Sequence, residues 1–261
     1  MENLLSFVAM PPNSNHVAKL TKAPLQEVIF ELFWELDIDP QMRQSHDPGF
    51  ELAQGVFAEL VKERFPFYKR VAPPIPVYLL NHRPIHQFWR GENEWPVVQL
   101  GPGLLATNDT EKTYVWDTEF LPVVEYALDA VLKSYKESPR FQKVSLRYID
   151  AVELRDEFEN DFVTFVETNL QVRVVRNFEV GGTISDLNLN QVFSLNDGSK
   201  LQLVISNGQR DNKPAVVWQT AVVREKHISV DEIMMWISDA HSVTSSLFKR
   251  MLREDFYDSL K

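Results

Sequence analysis

The residues of this chain that could do chemistry are six histidines, a scatter of strand arginines and a few acidic pairs, with no cysteine among them. The missing cysteine removes disulfides, thiolate zinc sites, iron–sulfur clusters and cysteine nucleophiles together. His82 and His86 stand four residues apart, but Pro84 between them excludes a shared helix face. Along a strand they would lie about 13 Å apart, too far to share a metal ion ligated at about 2 Å. No His-Glu-x-x-His occurs. Asp37 and Asp39 precede Pro40 in the manner of turn residues, and Asp186–Asn190 lacks the glycine and terminal glutamate of a calcium loop. Neither a metal site nor a cofactor is expected.

Covalent and phosphate chemistry find no better footing. Neither G-x-x-x-x-G-K-[ST] nor G-x-G-x-x-G is present, and nine glycines leave little from which to build a phosphate cradle. No G-x-S-x-G nucleophile turn occurs. Asp239, His241 and Ser242 are close in sequence, but near neighbours on a helix point to different faces. No catalytic residue is assigned. The candidate ligand-binding residues are Arg90, Arg147, Tyr148 and His241. An arginine on an open sheet face reads carboxylate or phosphate bidentately; the alternative for both Arg90 and Arg147 is a solvent-facing position or a cross-strand ion pair with a strand glutamate such as Glu27 or Glu31. His241 falls on the apolar stripe of the last helix. It is either a core histidine satisfied by a backbone carbonyl or a general base or ligand donor where helix meets sheet.

These residues must be held by elements that the hydropathy pattern outlines. Residues 1–23 show no periodicity and read as an irregular lead-in. Residues 27–36 alternate, with Val28, Phe30, Leu32, Trp34 and Leu36 on one side and three glutamates with Ile29 and Phe33 on the other. That is a strand with one buried and one mixed face. Phe50, Ala53, Val56, Phe57, Leu60 and Val61 recur at helical spacing, and Pro66 ends that helix. The five prolines within 66–84 predict loop or edge structure. A hairpin is expected from 85–90 and 95–100 around Gly91–Glu94, with Gly101-Pro-Gly103 as a bend or bulge and 104–108 continuing the strand. A second helix begins near Asp117 and stops before Pro139.

The pattern then restarts. Val144–Leu154 predicts a strand, Asp156 to about Leu170 a helix, and three strands follow within 172–195, 200–206 and 215–224. Asn196-Asp-Gly198 is the strongest turn signal. Ser229 and Glu232 fit a capping box, and Ile233, Ile237, Ala240, Thr244, Leu247, Phe248, Met251 and Leu252 form one stripe. The halves 24–143 and 144–261 read β-α-β-β-α and β-α-β-β-β-α. The expected fold class is α+β: an antiparallel sheet with helices packed on one face, the two halves sharing it.

Net charge is −10, and each half carries −5. An even negative field repels polyphosphate, so nucleic acid is not an expected partner. The N-terminal residues lack the basic and long apolar regions of a secretory signal, and no run reaches a membrane-spanning length of about 18 apolar residues. A cytoplasmic protein is expected. The 17 Phe, 7 Tyr and 6 Trp lack interleaved basic residues, which favours core packing or a protein-binding face over base stacking.

Ala23–Glu31, Phe88–Glu92 with Val98–Asn108, Leu146–Asp150, and Trp236–His241 with Phe248 together resemble a sporadically distributed family of prokaryotic proteins of about this length, across roughly residues 23–250. The family has no established activity and supplies no catalytic residues. The resemblance implies a cytoplasmic, patchily inherited protein with an accessory role, as in defence or toxin–antitoxin loci. Two functional expectations follow. The first is a non-catalytic protein that binds another protein. The second is a binder or enzyme for a phosphorylated or nucleotide small molecule, with Arg90, Arg147 and His241 converging in one pocket.

Overall fold

The computed structural model describes residues 20–39, 43–73, 75–154, 158, 161–182 and 184–261. The lead-in expected over 1–23 falls almost wholly outside these residues, as does the helix start expected at Asp156. Eleven strands are described: β1 Leu25–Trp34, β2 Asp37–Ile38, β3 Ser45–His46, β4 Phe67–Arg70, β5 His86–Gly91, β6 Glu94–Gly101, β7 Leu104–Asp109, β8 Phe141–Glu153, β9 Asn188–Ser194, β10 Lys200–Arg210 and β11 Lys213–Arg224. The helices are α1 Phe50–Val61, α2 Leu121–Ser134, α3 Phe162–Asn169, α4 Val230–Met251 and α5 Glu254–Ser259, with a 3-10 turn at Val77–Leu80 and a π turn at Trp116–Phe120.

Nine strands form one antiparallel sheet in the order β4-β5-β6-β7-β1-β8-β11-β10-β9. β1 and β8 join in the middle. Each opens a run of similar connection: a helix (α1 or α3), three strands stepping inward (β5-β6-β7 or β9-β10-β11), then another helix (α2 or α4). The last strand of each run pairs with its first. Phe30 meets Leu146 across the joint, while Phe30 faces Thr107 on β7 and Leu146 faces Val222 on β11.

The alternation in β1 decides which face is covered. Val28, Phe30, Leu32 and Trp34 are buried with Val144, Leu146 and Val222 under α1, α2 and the first half of α4. Leu203, Ile205, Val216 and Trp218 continue the same face and are covered by α3, α5 and the end of α4. All five helices of the described residues thus lie on one side, and the fold is the expected α+β class.

Several elements differ from expectation. Residues 104–108 do not continue β6; Gly103, at φ 73°, turns the chain back into the separate strand β7. A side chain at Gly101 would come within 1.9 Å of the Arg83 carbonyl, so that approach requires glycine. The proline-rich stretch, as expected of loop or edge structure, forms the edge strand β4 and the 3-10 turn. The strand expected within 172–195 is β9, Asn188–Ser194. α3 starts at Phe162, where Asp161 accepts a hydrogen bond from the Thr164 amide. The last stripe also carries an unforeseen helix after it, α5, whose Phe256 is buried together with Leu260.

One carboxylate ties four segments of the first half together. Asp47 accepts from Trp34 Nε1 at 2.9 Å, Tyr135 Oη at 2.7 Å, the Gly103 amide at 3.0 Å and the Gly49 amide at 3.2 Å.

Candidate functional site

Arg147 and Tyr148 are consecutive on β8 and so point to opposite faces. That parity separates the sequence-derived candidates. Tyr148 and His241 meet on the helix-covered face, and Arg90 of β5 pairs there with Glu119 of the same π turn that supplies Trp116; Arg147 faces away on the uncovered one.

On the covered face, Tyr148 Oη lies 2.8 Å from His241 Nδ1 and 2.9 Å from Tyr114 Oη. Trp116, in the π turn, stacks on the His241 ring at 3.8 Å between centroids and 8° between planes. Burial lowers His241 to about 4, with Asp117 opposing and Lys249 adding to the shift. The imidazole is therefore neutral near pH 7. Burial also raises Tyr148 well above the ordinary tyrosine range, with the neighbouring Tyr114 adding to the shift, so its hydroxyl keeps its proton. Both groups are neutral, and the imidazole tautomer sets which of them donates in the Tyr148–Nδ1 bond. His241 is bonded to a side chain here, not to the backbone carbonyl expected of a core histidine.

Two buried carboxylates border this chain of rings. Asp150, two residues along β8, is raised to about 7 by burial, against the pull of the Trp218 indole. Asp109 is fully buried; burial raises it, while hydrogen bonds from the Thr113 hydroxyl and the Thr110 amide, and the Arg90 charge, act the other way. Arg90 itself pairs with Glu119 at 2.8 Å. Four of these groups, Asp109, Tyr114, Asp150 and Trp116, carried no sequence signal as site residues. Only a shared strand parity between Tyr148 and Asp150 hinted at one.

The uncovered face carries a different arrangement. Gln87 Nε2 donates to Gln99 Oε1 at 2.8 Å, Gln99 Nε2 to Asn108 Oδ1 at 2.8 Å, and Asn108 Nδ2 to Glu27 Oε1 at 2.7 Å. This ladder crosses four adjacent strands, β5-β6-β7-β1. Next to it Ser145 Oγ donates to Glu31 at 3.0 Å and Arg147 approaches the same carboxylate at 3.8 Å. That is one of the two strand glutamates expected for Arg147. Beyond them Arg147, Gln202, Val204, Gln219 and Ala221 line a dimple of about 140 Å³. Pockets for drug-sized ligands run to roughly 300–1,000 Å³, so the dimple suits one side chain or small group and not a nucleotide. Arg147 and His241 lie on opposite faces of the sheet.

Among the described residues, no group of three or more histidines and carboxylates is placed to hold a metal ion, and no helix is long and apolar enough to cross a membrane. No family model, curated protein or solved structure matches the chain.

Proposed function

We propose that this is a non-catalytic, cytoplasmic binding protein whose uncovered sheet face docks a protein partner, as an accessory or inhibitory component of a prokaryotic defence or toxin–antitoxin locus. One observation carries the reading: all five helices lie against one face, and the other offers half-buried Ile29, Phe33, Ile149, Val204 and Val217 beside an amide ladder whose polar groups already satisfy one another. Such a surface loses little by being desolvated, because its buried amides need no water. Arg147 and the glutamine-lined dimple give it one polar anchor, suited to a carboxylate or amide side chain of the partner. The even acidity opposes nucleic acid there.

The test is co-expression with the products of neighbouring genes, followed by purification of the wild type and of Ile149→Arg. A stoichiometric partner retained by the wild type and lost from a folded Ile149→Arg chain supports the proposal. A chain that retains no protein but binds inorganic phosphate or a nucleotide, with binding lost in Arg147→Ala, overturns it in favour of the small-molecule reading.

A further inference from the structure

The two edges of the nine-stranded sheet are unlike. β4 is four residues long, and two of the four, Lys69 and Arg70, are basic. Short length and lysines are the usual means by which a sheet edge avoids another strand. β9 has neither protection. It is seven residues long, Asn-Leu-Asn-Gln-Val-Phe-Ser, with no charge and no proline. Its register with β10 runs without a bulge from Ser194 against Lys200 to Asn188 against Ser206. Val192 is 58% exposed and Phe193 44%. Among the described residues, no backbone hydrogen bond closes its outer side.

We infer that β9 is a strand-addition edge, and that its occupant is β9 of a second copy of this chain, antiparallel about Gln191. In that register Leu189 of one copy meets Phe193 of the other, Asn190 meets Val192, Asn188 meets Ser194, and Gln191 meets itself. Each contact is apolar with apolar or uncharged polar with a neutral neighbour, and no like charges oppose one another. The contact is isologous and closes as a two-fold dimer, which a parallel arrangement would not. It joins two sheets into one and leaves both uncovered faces free, so it stands independently of the partner reading above.

The chain's charge gives this dimer a distinctive salt response. Two copies at −10 repel through solvent, while the strand contact itself holds no ion pair. Screening removes the repulsion and leaves the contact intact. The dimer therefore tightens as salt rises, the reverse of a complex built on ion pairs.

The register makes the test specific. The chain has no cysteine, so single cysteines can be placed at each position from 188 to 194. Only residue 191 faces its own copy, and directly opposed Cβ atoms lie about 4.5–5.5 Å apart, near disulfide reach. Sedimentation of the full chain over a micromolar range, at low and high salt, is the first measurement. A monomer–dimer equilibrium shifting toward dimer at high salt is expected. Under mild oxidation the cross-linking yield peaks at Gln191→Cys. Gln191→Lys and Gln191→Glu, at an exposed position, each weaken the wild-type dimer by about fivefold, and mixing the two restores it. A chain that stays monomeric at all concentrations overturns the proposal. So does a dimer indifferent to Gln191→Lys, or one whose cross-links show no peak along β9.

Discussion

Tyr148 Oη sits 2.8 Å from His241 Nδ1, joining the central strand β8 to the middle of α4 across 93 residues of chain. The bond lies in the protein interior, so its loss should be read in stability. Tyr148→Phe removes the shared hydroxyl and leaves both His241 Nδ1 and Tyr114 Oη short of a partner. A buried polar group left unsatisfied costs about 1–3 kcal/mol. Denaturant unfolding should show a loss of that size for Tyr148→Phe. Adding His241→Leu should cost less than the sum of the two single changes, because it also removes the stranded ring nitrogen. Full additivity would mean that the two groups are not coupled.

The pH dependence of stability should come from two opposed titrations. Asp150 is raised from 3.8 to about 7, so between those values the folded state holds a proton that the unfolded state has released. Its contribution falls as pH rises through that window. His241 is lowered from 6.5 to about 4, so between those values the unfolded state holds the extra proton. Its contribution rises over nearly the same window. The wild type should therefore show little slope between about pH 4 and 6.5 from this pair. Asp150→Asn should expose the rise, and His241→Gln the fall. Unfolding free energies measured across that range for the three chains check the signs; parallel profiles would refute the account.

Asp47 gathers four donors from four segments of the first half. Trp34 and Tyr135 pack edge to face above it at 5.5 Å. Asp47→Ala leaves several donors without an acceptor, and hydrogen bonds to a charged group contribute about 1.5–3 kcal/mol each. A loss of about 3 kcal/mol or more in chemical denaturation is expected. Asp47→Asn, which keeps the shape but not the charge, should lose less.

What the sequence made legible is what depends on local pattern. The alternation in β1, the α4 stripe and the Asn196-Asp-Gly198 turn, with Gly198 at φ 82°, all follow from side-chain periodicity or from a single residue's backbone freedom. The Tyr148–His241 bond was half legible: His241 stood on the stripe, but no local rule sets which strand position lies under it. The amide ladder was not legible, because Gln87, Gln99, Asn108 and Glu27 align only once the register of four strands is fixed. Reading 104–108 as a continuation of β6 put Asn108 on the wrong element. Asp211 and Asn212, both at positive φ, make the β10–β11 hairpin turn with the same residue types that mark the Asn196-Asp-Gly198 turn.

The final helix is the element whose removal should be least tolerated. Glu232 accepts from the Ser229 amide at 2.9 Å and from its hydroxyl at 2.7 Å, closing the expected N-terminal box. From there α4 buries Ile233, Trp236, Ile237, Ala240, Thr244 and Met251, and the chain beyond it buries Leu252, Phe256 and Leu260. Fully burying a large apolar side chain stabilises by about 1.5–3 kcal/mol. Removing this set exceeds the usual domain stability of about 5–15 kcal/mol. It would also uncover both clusters at once, since Ile233 and Ile237 belong to the β1–β8 core and Met251 to the β10–β11 core. A chain ending at residue 230 should therefore fail to fold: circular dichroism and thermal melting should show no cooperative transition. A soluble, cooperatively melting 1–230 fragment would show that the strands and α1–α3 form a self-sufficient unit, and that the α4 stripe is an added layer which another apolar surface could replace.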